Sequence, residues 1–428
     1  MKKVCCIFSL LVFFAGACNL HAFGYKFDFT GKVTVGELKR GVFPVTNATI
    51  YGEGQWFGYD LNTVAGDGKP FFFSFDVPEG NFVVTVTLGS ADAEACTTVK
   101  SESRRLMLEN VKTKKGEFVT RTFAVNIRNI IINDTENVKI KDREKGKLIW
   151  DDKLTLEFNG ENPSVAKIEV KKADNLITVF LAGNSTVVDE ANEPWCGWGQ
   201  AFPRFFNSKV AIANYAESGL AANTFVSSLR FAKLLSMMKK GDYLFIEFGH
   251  NDQKQKGEGK GPYLSYKSDL KYMVDKARAK GGIPVLVTSM HRRRFDENGK
   301  VVNTHGEYPN AVKQLAKEEG VAIIDLNEMS AVLYEAWGVE GSKKAFVHYP
   351  AGTFPNQDQP LADNTHFNYY GGYQIAKCIL KGIADNNIPL KKYFVKDYKP
   401  FDPAHPDDFE SFNVPPTPFS SMDKPDGN

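Results

Sequence analysis

The sequence predicts two folds in tandem: an all-β sandwich over residues 23–172, then a three-layer α/β fold on a parallel sheet over residues 173–395. Three observations carry this. Up to about residue 170 the apolar pattern has period two, in short runs separated by Gly, Pro, Asn and Asp. From residue 173 strand-like runs alternate with stretches of helical spacing. The chain has 428 residues, 43% of them hydrophobic, enough for two or three separate cores.

The first 22 residues stand apart. Lys2 and Lys3 precede an apolar run over residues 4–17, which is shorter than the roughly 20 residues a bilayer span needs. Small residues follow, so the segment reads as a secretory signal cleaved after Ala17 or Ala22, and the protein is expected to be exported. The alternative is a lipid-anchored form at Cys18, because Ala15-Gly16-Ala17-Cys18 loosely resembles a lipoprotein processing site. No later run is apolar enough to span a membrane. Three cysteines remain in the mature chain: Cys96, Cys196 and Cys378. They form no C-x-x-C, so neither a zinc knuckle nor a redox pair is indicated, and pairing of two of them stays open. A net charge of +2 argues against a polyanion-binding protein such as a nucleic-acid binder, and 13% aromatic residues argue against an acidic disordered chain.

In the first fold the runs at 25–29, 71–77, 82–88, 122–127 and 154–158 are rich in β-branched and aromatic residues and read as strands. Pro78-Glu-Gly-Asn81 reads as a tight connection between two of them. Trp56 and Phe57 are either core residues or an exposed sugar platform. In the second fold, apolar runs at 177–182, 210–213, 243–248, 283–288 and 321–326 read as buried parallel strands. Segments 222–238, 267–279, 307–319 and 372–384 read as amphipathic helices; in the first, Phe225, Leu229, Ala232 and Leu235 share one face. Residues 396–428 are proline-rich and read as an extended tail, lying on the surface or partly disordered.

Ligands of open α/β sheets bind beyond the carboxyl ends of the strands, so the residues after each strand are the candidates for chemistry. The first strand is followed by Gly183-Asn184-Ser185-Thr186, where a serine on a strand-to-helix turn exposes its hydroxyl and nearby N–H groups. The second leads to Glu217-Ser218-Gly219, whose glycine lets backbone approach a ligand closely. The third leads to His250-Asn251-Asp252, where Asn251 offers an amide donor. Asp363 lies three residues before His366, a spacing at which a carboxylate can accept one ring N–H and leave the other nitrogen as a base. Each short motif alone also reads as a turn or cap.

Taken in order and placement, these blocks resemble the SGNH (GDSL-type) hydrolase superfamily, a flavodoxin-like α/β fold. Within it the chain is most similar to the rhamnogalacturonan acetylesterase family of carbohydrate esterases. The resemblance covers residues 177–388 and includes Trp198-Gly-Gln-Ala-Phe-Pro203. It implies that Ser185 is the nucleophile, His366 the base and Asp363 its orienting acid. The Ser185 and Gly219 backbones and the Asn251 side chain would form the oxyanion hole, with no metal or organic cofactor. Many members carry Asp where this chain has Asn184. The β-rich half is similar to galactose-binding-like modules that precede some of these esterases.

The implied partner is an acetylated polysaccharide or oligosaccharide, rhamnogalacturonan first and acetylated xylan or another O-acetylated glycan as the alternative, hydrolysed by a monomer. A non-catalytic carbohydrate-binding protein is the reading from another class, and the complete serine, glycine, asparagine and histidine set argues against it. Trp195, Gln200 and Arg292 are candidates for substrate contact. Glu217 and Asp252 are expected to be structural, and the Asp-x-x-His arrangement favours His366 over the neighbouring His250 as the triad base.

Overall fold

The computed structural model describes residues 23–426; the expected leader and the Cys18 anchor lie outside them. Among the described residues ten strands build the first half: β1 (Gly24–Asp28), β2 (Val42–Pro44), β3 (Phe57–Asp60), β4 (Phe71–Asp76), β5 (Gly80–Leu88), β6 (Ala95–Ser101), β7 (Arg105–Thr113), β8 (Val119–Ile127), β9 (Lys153–Glu161) and β10 (Val165–Lys172). They form two five-stranded sheets, ordered β2-β1-β10-β5-β8 and β3-β4-β9-β6-β7, antiparallel throughout except for β1 beside β2. Period-two patterning sends alternate side chains to the space between the sheets. Phe71, Phe73 and Phe75 of β4 meet Phe82, Val84 and Val86 of β5 there, all fully buried. The connection at 77–79 therefore joins strands of opposite sheets. Phe57 is buried and Trp56 packs on Tyr25 with ring centroids 4.5 Å apart, so both belong to this core.

The second half is a parallel sheet of β11 (Ile177–Gly183), β12 (Val210–Asn214), β13 (Tyr243–Glu247), β14 (Ile283–Val287) and β15 (Ala322–Ile324), in the order β12-β11-β13-β14-β15. Both faces are covered, which is why its strands read as continuous apolar runs. Val179 and Leu181 point into one core with Trp198, Leu333 and Ile379, while Phe180 and Ala182 point into the other with Phe225, Leu270 and Leu315. The strand order reverses at β11, which places a crevice beyond the carboxyl ends of β11, β12 and β13. An antiparallel pair, β16 (Phe346–Tyr349) and β17 (Leu361–Phe367), was not anticipated from the sequence pattern.

Eight α-helices are assigned among the described residues: α1 (Val35–Lys39), α2 (Trp198–Ala201), α3 (Ala222–Ser227), α4 (Arg230–Met237), α5 (Lys267–Ala279), α6 (Tyr308–Glu319), α7 (Leu326–Gly341) and α8 (Tyr369–Asp385). The helix expected over 222–238 is broken. Leu229 adopts φ +64°, the Ser228 carbonyl accepts the Lys139 N–H, and the buried Arg230 guanidinium bonds Glu144. Contacts with the segment between β8 and β9 thus override a continuous amphipathic pattern. The tail is largely extended and pinned. Lys100 Nζ donates to the Pro415 carbonyl at 2.7 Å, and buried Thr417 donates to Glu157 at 2.7 Å. Cys96, Cys196 and Cys378 are unpaired.

The sandwich and the parallel sheet meet along β7 and β8, which pack against α2 and β12. Arg104, with a side chain only 2% exposed, donates to the Trp195 carbonyl at 2.8 Å and pairs with Glu193 at 2.5 Å. Asn81 Nδ2 donates to Thr178 Oγ1 across the same seam at 2.8 Å. Replacing Arg104 by Met would leave Glu193 buried without its cation, a change that costs about 3–5 kcal/mol. Urea unfolding should show a loss of this order for Arg104→Met, against less than about 0.5 kcal/mol for the exposed Arg121→Met. Equal effects would remove Arg104 from the seam.

Candidate active site

Ser185 sits two residues past the end of β11. The turn that carries it is set by its neighbours: Asn184 Oδ1 accepts the Thr186 N–H at 3.0 Å, and the Val187 and Val188 N–H groups bond back to the Asn184 carbonyl. A Cβ on Gly183 would lie 2.5 Å from Val187 Cγ2, so the strand can turn this sharply only with glycine there. The second loop docks on the same point, with the Glu217 N–H donating to the Gly183 carbonyl at 3.3 Å. Gly219 follows with φ +78°. The third loop joins it through Asn251 Nδ2, which donates to the Leu220 carbonyl at 3.1 Å.

The last member arrives on β17. His366 Nε2 is 2.8 Å from Ser185 Oγ, and His366 Nδ1 is 2.7 Å from Asp363 Oδ2. Asp363 Oδ1 also accepts the N–H groups of Thr365 and His366. Burial alone would raise the Asp363 carboxyl, but the hydrogen bond and charge of His366 and these two amides hold it well below the usual carboxylate range. An ionised Asp363 fixes the proton on Nδ1 and turns the Nε2 lone pair toward the serine hydroxyl. Ser185, Asp363, His366 and Asn251 are all at most 7% exposed. The arrangement can deprotonate a serine during attack on a carbonyl.

Among the other sequence candidates, Gln200 is fully buried and donates to the Ser103 and Glu190 carbonyls, which excludes the substrate contact expected of it. Arg292 is half-buried and directs its guanidinium at the carbonyls of His250 and Thr304, so it buttresses the loop carrying Asn251. Trp195 lines a cavity of about 340 Å³ with Arg143, Glu190 and Asn192. Glu217, Asp252 and His250 each have partners away from the Ser185 hydroxyl. Asp252 accepts the Ala222 and Gly249 N–H groups, Glu217 pairs with Arg143 at 3.0 Å, and His250 is buried against His305. Among the described residues no group of three or more His, Cys, Asp or Glu side chains is placed to hold a metal ion.

Sequence reasoning missed the cations that the sandwich lends to the site. Arg143 bridges Glu190 and Glu217, Arg105 lies 3.4 Å from Asp189, and Lys141 Nζ donates to the Ser218 carbonyl at 2.6 Å. The signals were two dense charge runs, Lys100 to Arg105 inside a stretch otherwise patterned as strand and Lys139 to Lys147 between strands. Glu247, at the end of β13, was also missed. It is buried under the nucleophile turn, accepting Trp198 Nε1 at 2.8 Å and lying 3.2 Å from Thr186 Oγ1.

Burial pushes the Glu247 carboxyl up to about 7, against the lowering effect of those two hydrogen bonds. The folded protein therefore holds this proton more tightly than the unfolded chain does. The stability it contributes is complete below about pH 4.5 and is lost as pH rises through about 7. Glu247→Gln should gain stability relative to the parent protein as pH rises from about 5 to about 8.5, followed by denaturant unfolding at each pH. A difference independent of pH would show that Glu247 does not titrate in this range.

The chain matches the GDSL-like lipase/acylhydrolase family over residues 181–371, a span that contains all five residues of the site. It is 46% identical over 221 residues to rhamnogalacturonan acetylesterase RhgT of Bacillus subtilis (strain 168), covering 94% of that protein and 51% of this one. It is 34% identical over 224 residues to the probable rhamnogalacturonan acetylesterase YesY of the same organism, covering 98% of that protein and 51% of this chain. The crystal structure of Bacillus subtilis YxiM superposes with a TM-score of 0.47 at 21% identity, covering 86% of this chain and 99% of that one. With the parallel sheet, the serine turn and the Asp363–His366–Ser185 chain in place, the protein belongs to the GDSL-like lipase/acylhydrolase family.

Proposed function

We propose that the protein is an exported serine esterase that removes O-acetyl groups from plant cell-wall pectin, with rhamnogalacturonan as its substrate. The observation that carries the chemistry is the continuous hydrogen-bonded chain from Ser185 Oγ through His366 to Asp363. The substrate class rests on likeness to rhamnogalacturonan acetylesterases over nearly their whole length. Export rests on the basic, apolar and small-residue order of positions 2–22.

In this reading Ser185 Oγ attacks the acetyl carbonyl carbon while His366 Nε2 takes the serine proton. The carbonyl oxygen becomes an oxyanion held by the N–H groups of Ser185 and Gly219 and by the second N–H of Asn251 Nδ2, whose first is bonded to the Leu220 carbonyl. The C–O bond to the sugar breaks, and His366 returns the proton to the leaving hydroxyl. Water then attacks the acetyl-enzyme with the same base, releasing acetate and restoring Ser185. Asp363 stays ionised throughout and stabilises the imidazolium.

Acetate release from acetylated rhamnogalacturonan, acetylated xylan and a small acetyl ester tests the reading. Release should be fastest from rhamnogalacturonan among the polymers and should vanish in Ser185→Ala. Equal inertness of both proteins on all three substrates would end the esterase reading, and preference for xylan would end the pectin assignment. Asn251→Ala should lower kcat by about 100- to 1000-fold if its amide stabilises the oxyanion. A kcat within a few fold of the parent would confine Asn251 to holding Leu220.

A further inference from the structure

The tail crosses the mouth of the site. Its upstream part is tied by buried polar bonds: Thr417 to Glu157 and to Glu193 Oε1, the Phe419 carbonyl to the Glu193 N–H, and the Ser421 N–H to the Glu193 carbonyl. Beyond Ser421 the character changes. Pro425 is buried, and two ion pairs reach from this segment to the rest of the chain. Lys424 Nζ lies 3.7 Å from Asp363 Oδ2, and Asp426 Oδ2 lies 2.7 Å from Lys141 Nζ. A Cβ built on Gly219 would sit 2.7 Å from Asp426 Cβ and 3.1 Å from Lys141 Nζ. The tail thus brings a carboxylate to the glycine of the proposed oxyanion hole, on a cation that the sandwich side of the chain supplies.

We propose that Lys141 is an anion subsite for the carboxylate of a uronic acid residue adjoining the acetylated sugar, and that the Asp426 carboxylate fills this subsite in the free protein. The inference rests on the esterase reading and adds the residue that recognises an acidic polymer. Lys141 is held in place by the Ser218 carbonyl, which takes one of its three N–H donors and leaves the others to face a carboxylate. The Lys141 and Asp426 side chains are 30% and 54% exposed, and ion pairs at that exposure contribute little net stability. An incoming carboxylate can therefore exchange for Asp426 without disturbing the buried anchors upstream.

The probe is free D-galacturonate as a competitive inhibitor of 4-nitrophenyl acetate hydrolysis by the full-length protein, with D-galactose as the uncharged control. Galacturonate should inhibit and galactose should not. Lys141→Met should weaken galacturonate inhibition about tenfold, as loss of a charge-assisted bond does, and Lys141→Arg should restore most of it. Asp426→Asn should strengthen galacturonate inhibition several-fold by vacating the subsite. Galacturonate inhibition absent from the parent and from Asp426→Asn, or unchanged within twofold in both Lys141→Met and Asp426→Asn, would overturn the subsite. Because the reporter ester is neutral, the two readings separate. Lys141-dependent inhibition without acetate release from rhamnogalacturonan would sink the substrate assignment alone, and release with Lys141-independent inhibition would sink the subsite alone.

Discussion

Buried charge at the seam between the sandwich and the parallel sheet is the constraint on which the rest of the molecule depends. Lys100, Arg104 and Arg105 all have side chains at most 2% exposed, and each faces a carboxylate that is also buried. Placing an isolated charge there would be prohibitive, so these groups are tolerable only while both halves of the chain are docked. The anions they meet are themselves attached to the machinery. Asp189 accepts the amide of Asn214 at the end of β12, and Glu193 holds the tail by side chain and backbone. Shape at the serine turn is thus transmitted from the sandwich by electrostatics as much as by apolar packing.

That turn is fixed from several directions before any substrate arrives. Asn214 Nδ2 also donates to the Val187 carbonyl at 2.7 Å, and a Cβ on Gly199 would strike that same nitrogen at 2.4 Å. Beneath it the Trp198 indole meets Glu247. Rigid support of this kind is what lets hydrogen-bond donors act on a developing charge without reorganising at the moment of reaction. Asn184 fits the same pattern: its oxygen closes the turn through Thr186, so the asparagine in place of the family's frequent aspartate keeps the acceptor the turn needs.

The parts of this architecture legible in the sequence were those governed by local periodicity. Strand β5 alternates because one face is buried in the sandwich and the other is partly open, and β11 and β13 are continuously apolar because both faces are buried. The candidate triad was legible through its position at strand ends together with the fixed Asp363–His366 spacing. Readings failed where distant parts of the chain intervened. The break at Leu229 depends on Lys139 and Glu144, neither of which leaves a mark on the helical pattern of 222–238. Gln200 looked like a polar group awaiting a sugar, and its partners are carbonyls of Ser103 and Glu190 that no local pattern announces. The proline-rich tail had the composition of an extended surface segment, yet Thr417 is buried by partners on β6, β9 and the loop before α2. The use of the sandwich by the site was invisible for the same reason.

The hydrogen bond between His366 and Ser185 closes a loop of 181 residues, and the bond from Lys100 to the Pro415 carbonyl closes one of 315. Contacts of such separation form late, since the entropy of closing the chain must be met before they return any free energy. During synthesis the serine turn emerges long before His366, and the sandwich emerges before the strap that ties it down. A nascent chain therefore carries Ser185 before the imidazole it bonds exists. Assembly of the proposed esterase site thus waits on residue 366 by topology alone.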